Sequence, residues 1–181
     1  MKFLKSNEFK MVLCLVVIAI AVAGLMAVVN DLTFDKIEQN LANQLTESLE
    51  EVLPADSYDV VKETESETVY EAKKDGNKIG FCVVNIEKGY GGDVKIMTGV
   101  KTDGTVSKVK ILEHGETPGL GANAEKESFI SQFIGKTKGV EVTKSGASGN
   151  KITAISGATI TSSAVTRAVN SALSLAEEAE K

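Results

Sequence analysis

Apolar and polar positions divide the chain into an uncharged run, a helical stripe and a series of strand-like segments. From Met11 to Val29 the sequence MVLCLVVIAIAVAGLMAVV carries no charge. A helix over it, rising about 1.5 Å per residue, nearly crosses a hydrocarbon core of about 30 Å. Phe34, Ile37, Leu41, Leu45, Leu49 and Val52 then recur at spacings of three and four, which predicts an amphipathic linker helix over 30–54 that ends at Pro54. Polar and acidic residues dominate 55–68, a loop with a weak first strand. Alternation over Thr68–Ala72 and β-branched runs over Lys78–Ile86, Val94–Val100 and Val106–Leu112 predict strands. Thr102-Asp103-Gly104-Thr105 joins the last two as a hairpin. A helix is expected over Ala122–Ile134, with Ala124, Phe129, Phe133 and Ile134 inward, then a short strand over Val140–Val142 and a turn over Gly146–Asn150. A strand over Ile152–Ile155 leads to a last helix, Ile160–Ala179, burying Val165, Val169, Ala172, Leu173 and Ala176. Sequential strands with interspersed helices predict an α+β domain with a mainly antiparallel sheet and flanking helices, behind an N-terminal transmembrane helix.

The apolar run is longer than the apolar region of a cleaved signal peptide, about 7–15 residues. It continues past Ala19, Ala21 and Ala23 through Leu25, Met26 and Val29, so an uncleaved anchor is expected. Lys2, Lys5 and Lys10 precede it, and Asn30 and Asp31 follow. Positive charge stays cytoplasmic, which predicts a cytoplasmic segment 1–10, a span 11–29, and a domain 55–181 on the periplasmic or extracellular side. Outside the cytoplasm an unpaired Cys82 is tolerated if it is buried, as its setting Ile79-Gly80-Phe81-Cys82-Val83-Val84 suggests. Cys14, the other cysteine, lies in the span.

Composition removes several classes of function. A net charge of −5 argues against nucleic acid, where Lys and Arg must face phosphate. With His114 the only histidine and no Cys-x-x-Cys, no zinc site or iron–sulfur cluster is expected from this chain alone. Nothing pairs a serine with that histidine for hydrolysis. About 150 residues beyond the span suffice for one domain with its own core.

The candidate chemistry lies in short motifs. At Ser156-Gly157-Ala158-Thr159-Ile160-Thr161-Ser162 a strand ends, glycine permits a turn and a helix begins. Helix starts present unpaired N–H groups and partial positive charge, suited to phosphate. Ser and Thr are also the preferred helix caps, so Ser156, Thr159, Thr161, Ser162 and Ser163 fit an ordinary cap as well. Glu113-His114-Gly115-Glu116-Thr117-Pro118-Gly119-Leu120-Gly121 is a rigid, glycine-rich loop. It can close over a ligand ring through Glu116, Thr117 and backbone groups; as a purely structural loop it would leave His114 facing solvent. Within it, Gly119-Leu120-Gly121-Ala122-Asn123-Ala124 matches the dinucleotide fingerprint, but Pro118 separates it from the strand and no βαβ unit follows. Gly89-Tyr90-Gly91-Gly92-Asp93 is a turn that lets a backbone or ligand approach closely.

In this order, GYGG at 89–92, HGETPGLG at 114–121 and SGATITS at 156–162, behind one N-terminal span, the motifs resemble the FMN-binding domain family, in the branch of the G subunits of Rnf electron-transport complexes. The resemblance runs from the anchor to the last helix. It implies a complex that couples electron flow between reduced ferredoxin and NAD to pumping of sodium ions or protons. A separate flavin transferase would move FMN from FAD onto a threonine hydroxyl, here Thr159, as a phosphoester. Gly157 and Ala158 would admit the phosphate, Ser156 and Thr161 would hydrogen-bond it, and Glu116, Thr117, Pro118, Gly119 and Leu120 would pack beside the flavin ring. Family members often carry an acidic residue about six positions before the acceptor, where this chain has Thr153. The implied partners are the other membrane subunits of the complex, and ferredoxin and NAD would bind elsewhere. Related alternatives are the C subunit of a sodium-pumping quinone reductase or a stand-alone extracellular flavoprotein. A non-redox anchored scaffold, with SGATITS as a cap only, is the reading from a different class.

Overall fold

Pro54 stops the first helix. The residue before a proline is pushed out of the helical region, and α1 (Asn7–Val52) ends just short of it, with Leu53 N–H donating to Leu49 O at 3.0 Å. The computed structural model describes residues 7–180, in two compact units, Met1–Leu45 and Thr46–Lys181. Lys2 and Lys5, on which the orientation expectation largely rests, lie outside the described residues.

In the first unit, α1 carries an apolar stretch that by length and composition suits a membrane span. Its side chains are exposed from Met11 through Val29, as are Phe34, Ile37 and Leu41 farther along. Span and amphipathic stretch lie in a single run of helix, without a break near Asn30.

In the second unit the last turns of α1 bury Leu49 and Val52, followed by Leu53. Next comes an antiparallel meander: β1 (Ser57–Glu63), β2 (Glu67–Lys74), β3 (Asn77–Lys88), β4 (Asp93–Lys101) and β5 (Val106–His114), side by side in chain order. Asp75 and Gly76, both at positive φ (52° and 75°), make the β2–β3 turn. This is the conformation a tight hairpin wants. At the β4–β5 turn Asp103 Oδ1 accepts from Thr105 N and Thr105 Oγ1 at 2.9 and 2.6 Å. Those donors hold the Asp103 carboxyl below the usual range.

The helix expected over Ala122–Ile134 is broken instead into a 3-10 turn (Gly121–Glu125), one turn of helix, α2 (Glu127–Ile130), and a second 3-10 turn (Ser131–Phe133). Lys126, extended at φ −68°, ψ 139°, interrupts the hydrogen-bond ladder. Ala124, Phe129 and Phe133 still point inward, but Ile134 is 49% exposed, a correction to the expected inward set. It follows the last turn rather than continuing a helical face. β6 (Glu141–Thr143) and β7 (Lys151–Thr153) pair in parallel as a separate two-stranded ribbon. Side-chain amides secure it. Asn170 Oδ1 accepts from Gly139 and Val140 N–H, and Gln132 both accepts from Thr153 N–H and donates to Thr153 O.

The last helix, α3 (Thr159–Ala179), lies across one face of the sheet, burying Val165, Ala168, Val169, Ala172 and Leu173 in one core with Phe81, Val83, Ile96, Val100 and Val109. Burial of each large aliphatic chain stabilises by about 1.5–3 kcal/mol. The end of α1 covers the opposite face. A Cβ on Gly99 would sit 2.6 Å from Val52 O, and Gly99 pairs with Cys82, so Cys82 faces the same side. The fold class is therefore as expected, an α+β domain with a mainly antiparallel sheet behind an apolar helix.

Cys82 is unpaired and fully buried, and desolvation pushes its thiol up to about 12. In an unfolded chain the thiol titrates near 8.5. The folded value is the higher one, so its contribution to stability is complete below about pH 8.5 and is lost as pH climbs toward 12. Iodoacetamide at neutral pH should spare Cys82 in the folded protein and label it in denaturant. Cys82→Ala should flatten the alkaline fall in the unfolding midpoint, and labelling of native Cys82 would contradict its seclusion.

Candidate flavin attachment site

β7 ends at Thr153 and α3 begins at Thr159, so the chain must reverse within a few residues. Gly157 makes that possible at φ +75°, and Ala158 N–H donates to Ile155 O at 3.0 Å. The inner hydroxyl of Ser162 then fastens the turn. It accepts from Ile155 N–H at 3.0 Å and donates to Ala158 O at 2.9 Å. The residue at the cap position is Ala158, and among the described residues no side chain caps the helix. The hydroxyls therefore do not serve as an ordinary cap. Thr159 stands exposed at the first helical position, where open N–H groups and the positive end of the helix suit an anion.

The other two motifs converge on this turn through one side chain. Glu116 is only 6% exposed, and its carboxylate is held by three donors. Oε1 accepts from Tyr90 N–H at 2.7 Å and Gly91 N–H at 3.2 Å, and Oε2 accepts from Thr161 Oγ1 at 2.8 Å. A Cβ on Gly121 would collide with Oε2 of this carboxylate, and a Cβ on Gly91 would collide with Gly115 O. Glycine is required at both positions. Arg167 of α3 secures the approach to the Tyr90 loop, donating to Glu87 Oε2 at 3.0 Å and Lys88 O at 2.9 Å. His114 does not face solvent freely. Its Nδ1 accepts from Glu116 N–H at 3.1 Å and its Nε2 lies 3.0 Å from Glu125 Oε1.

Together these segments bound a cleft of ≈ 390 Å³, within the size range of ligand sites. Glu116, Thr117, Leu120, Gly157, Ala158, Thr159 and Thr161 from the sequence-derived set line it. Pro118 and Gly119 make the exposed turn that brings Leu120 to the rim. Ser156 is exposed within the turn, whereas Ala158 is buried. Tyr90 and Ile160 also line the cleft, 73% and 54% exposed, and do not belong to that set. An aromatic side chain embedded among the glycines at 89–92 is the available signal for the first.

Residues 89–174 match the FMN-binding domain family, and residues 1–52 match the RnfG N-terminal region. The G subunit of the Na(+)-translocating ferredoxin:NAD(+) oxidoreductase complex of Acetobacterium woodii is 34% identical, over 96% of this chain and 93% of that protein. The chain belongs to the family of G subunits of ion-translocating oxidoreductase complexes. A second member, the G subunit of the proton-translocating ferredoxin:NAD(+) oxidoreductase complex of Clostridium ljungdahlii, is 44% identical over 58% of this chain and 57% of that protein. Among solved structures, the C subunit of the Na(+)-translocating NADH-quinone reductase of Parabacteroides distasonis superposes with a TM-score of 0.51 at 32% identity, over 60% of this chain and 59% of that one.

The residues present fit the family's flavin mononucleotide on geometric grounds. The uncapped start of α3 offers donors for a phosphate. The exposed apolar side chains of Tyr90, Leu120 and Ile160 at the cleft offer surface for a planar ring.

Proposed function

We propose that this chain is a membrane-anchored flavoprotein subunit of an ion-translocating ferredoxin:NAD oxidoreductase complex, with FMN esterified through its phosphate to Thr159 Oγ1. The observation that carries the reading is the exposed Thr159 at an uncapped helix start beside a cleft. Attachment would proceed from FAD on a separate transferase. The Thr159 oxygen forms a bond to the FMN phosphorus, the pyrophosphate bond to AMP breaks, AMP leaves, and the hydroxyl proton passes to a base of the transferase. Thr159 is thus an attachment point, not a catalytic acid or base. Ser156 and the first N–H groups of α3 would receive the phosphate, and Leu120, Tyr90 and Ile160 would pack against the ring.

Once bound, FMN would supply the redox chemistry, while the protein fixes its position and tunes its potential. A covalent tether keeps the cofactor in place outside the cytoplasm, where free FMN is scarce, and leaves the ring near the surface for exchange with neighbouring redox subunits. The apolar stretch of α1 would hold the domain at the membrane as a single pass, N-terminus inside. The match of residues 1–52 to the RnfG N-terminal region favours this complex over the quinone-reductase alternative. The test is co-expression of the full chain with a flavin transferase. Yellow protein, heavier by one FMN minus water on the peptide containing Thr159, is expected. Colourless, unmodified protein beside a modified positive control would overturn the reading.

A further inference from the structure

The segment that starts α3 offers hydroxyls at Ser156, Thr159, Thr161, Ser162 and Ser163, yet a single attachment point needs one of them singled out. The structure also places a buried carboxylate, that of Glu116, in the lining of the same cleft. Burying a carboxylate is costly unless hydrogen bonds replace its water, and Glu116 obtains them from three donors. Two come from the loop at Tyr90 and Gly91, and the third from the first turn of α3. We propose that Glu116 is the positioning residue that selects Thr159 for flavin attachment, by locking the Tyr90–Gly91 loop to the start of α3 and withdrawing Thr161 from competition. The proposal rests on Thr159 being the acceptor.

Withdrawal is visible in the geometry. Thr161 Oγ1 directs its hydrogen at Glu116 Oε2 and is 1% exposed, while Ser162 is fully buried and committed to Ala158 O. Thr159 is exposed and lines the cleft. Locking is equally direct. The carboxylate is the shared acceptor between these two segments, and it has room only because Gly121 lacks a Cβ, which would collide with Oε2 and Thr161 Oγ1. Without it the Tyr90 loop, one wall of the cleft, loses both of its bonds to Glu116. A wall displaced by about 1 Å is enough to slow a position-dependent reaction by orders of magnitude.

The experiment measures the rate at which purified transferase loads FMN from FAD onto full-length chain in detergent, with the loaded residue mapped by peptide mass. Glu116→Ala should slow loading of Thr159 by about ten-fold or more. Glu116→Gln, whose amide oxygen still accepts from Tyr90 and Gly91 and whose amide nitrogen can donate to Thr161 Oγ1, should load at close to the wild-type rate. Val106→Ala, a core substitution away from the cleft, controls for general loss of stability and should also load normally. If Glu116→Ala does not fold, Glu116→Asp takes its place, with a side chain too short to hold all three donors. Wild type that fails to load overturns the acceptor assignment itself. With wild type loading, the positioning role is overturned by any of three results: normal loading of Glu116→Ala, equal slowing of Val106→Ala, or failure of Glu116→Gln to recover.

Discussion

Thr159→Ala should remove covalent flavin entirely, and no neighbouring hydroxyl should take over. Thr161 and Ser162 are buried and hydrogen-bonded, so neither oxygen can be reached without unwinding the first turn of α3. Ser156 is exposed but sits in the turn, three residues before the first helical position that Thr159 holds. The substitution is structurally mild. Thr159 is exposed, and alanine is the stronger helix former, so stability should stay within about 0.5 kcal/mol of wild type. Thr159→Ser keeps the oxygen and should remain competent. Loss of mass on the Thr159 peptide, with an unchanged unfolding midpoint, is the expected pair of measurements. Flavin reappearing on Ser156 would show that the helix start, and not one hydroxyl, is what the transferase recognises.

Some of this is legible in the sequence because it is local. The β-branched and alternating runs mark four strands with bounds close to those observed, and the period of three and four places the inward face of α3 correctly. Glycine, serine and threonine around 156–163 mark the strand–turn–helix junction. What fails is non-local or depends on a break in periodicity. Residues 122–134 have a helical apolar pattern, but the extended backbone at Lys126 divides them, and Ile134 falls outside. The motif suggests packing against a ring as the role of Glu116. The motif does not show that its carboxylate also bonds to residues 25, 26 and 45 positions away, a convergence no window of sequence reports. The same holds for Ser162, which is one hydroxyl among several in the sequence and the fastener of the turn in the structure. Sequence identifies the residue types the site needs; the tertiary bonds decide which hydroxyl is free.

Phe133→Ala should be the most destabilising of these changes, because this ring anchors the segment that follows the cleft loop. Phe133 is fully buried and meets Phe129 edge-on, with centroids 5.5 Å apart and planes at 80°, a geometry worth about 0.5–1.5 kcal/mol beyond burial. Truncating a buried phenylalanine costs about 3–5 kcal/mol, a large share of the roughly 5–15 kcal/mol that holds a domain folded. For a domain of this size the unfolding midpoint should drop by about 10–20 °C. The neighbouring Ile134→Ala should change stability by no more than about 0.5 kcal/mol, since that side chain is half in solvent. Thermal unfolding of the two variants therefore tests the interrupted 3-10 and α-helical path directly. A continuous helix with Ile134 in the core would make both substitutions costly. The effect should also reach the cleft, because Phe133 lies in the stretch that begins at Gly121, where the backbone packs against Glu116 and Thr161. Phe133→Ala should accordingly load FMN more slowly as temperature approaches its lowered midpoint and normally well below it. Glu116→Ala should be slow at every temperature, which separates loss of fold from loss of position.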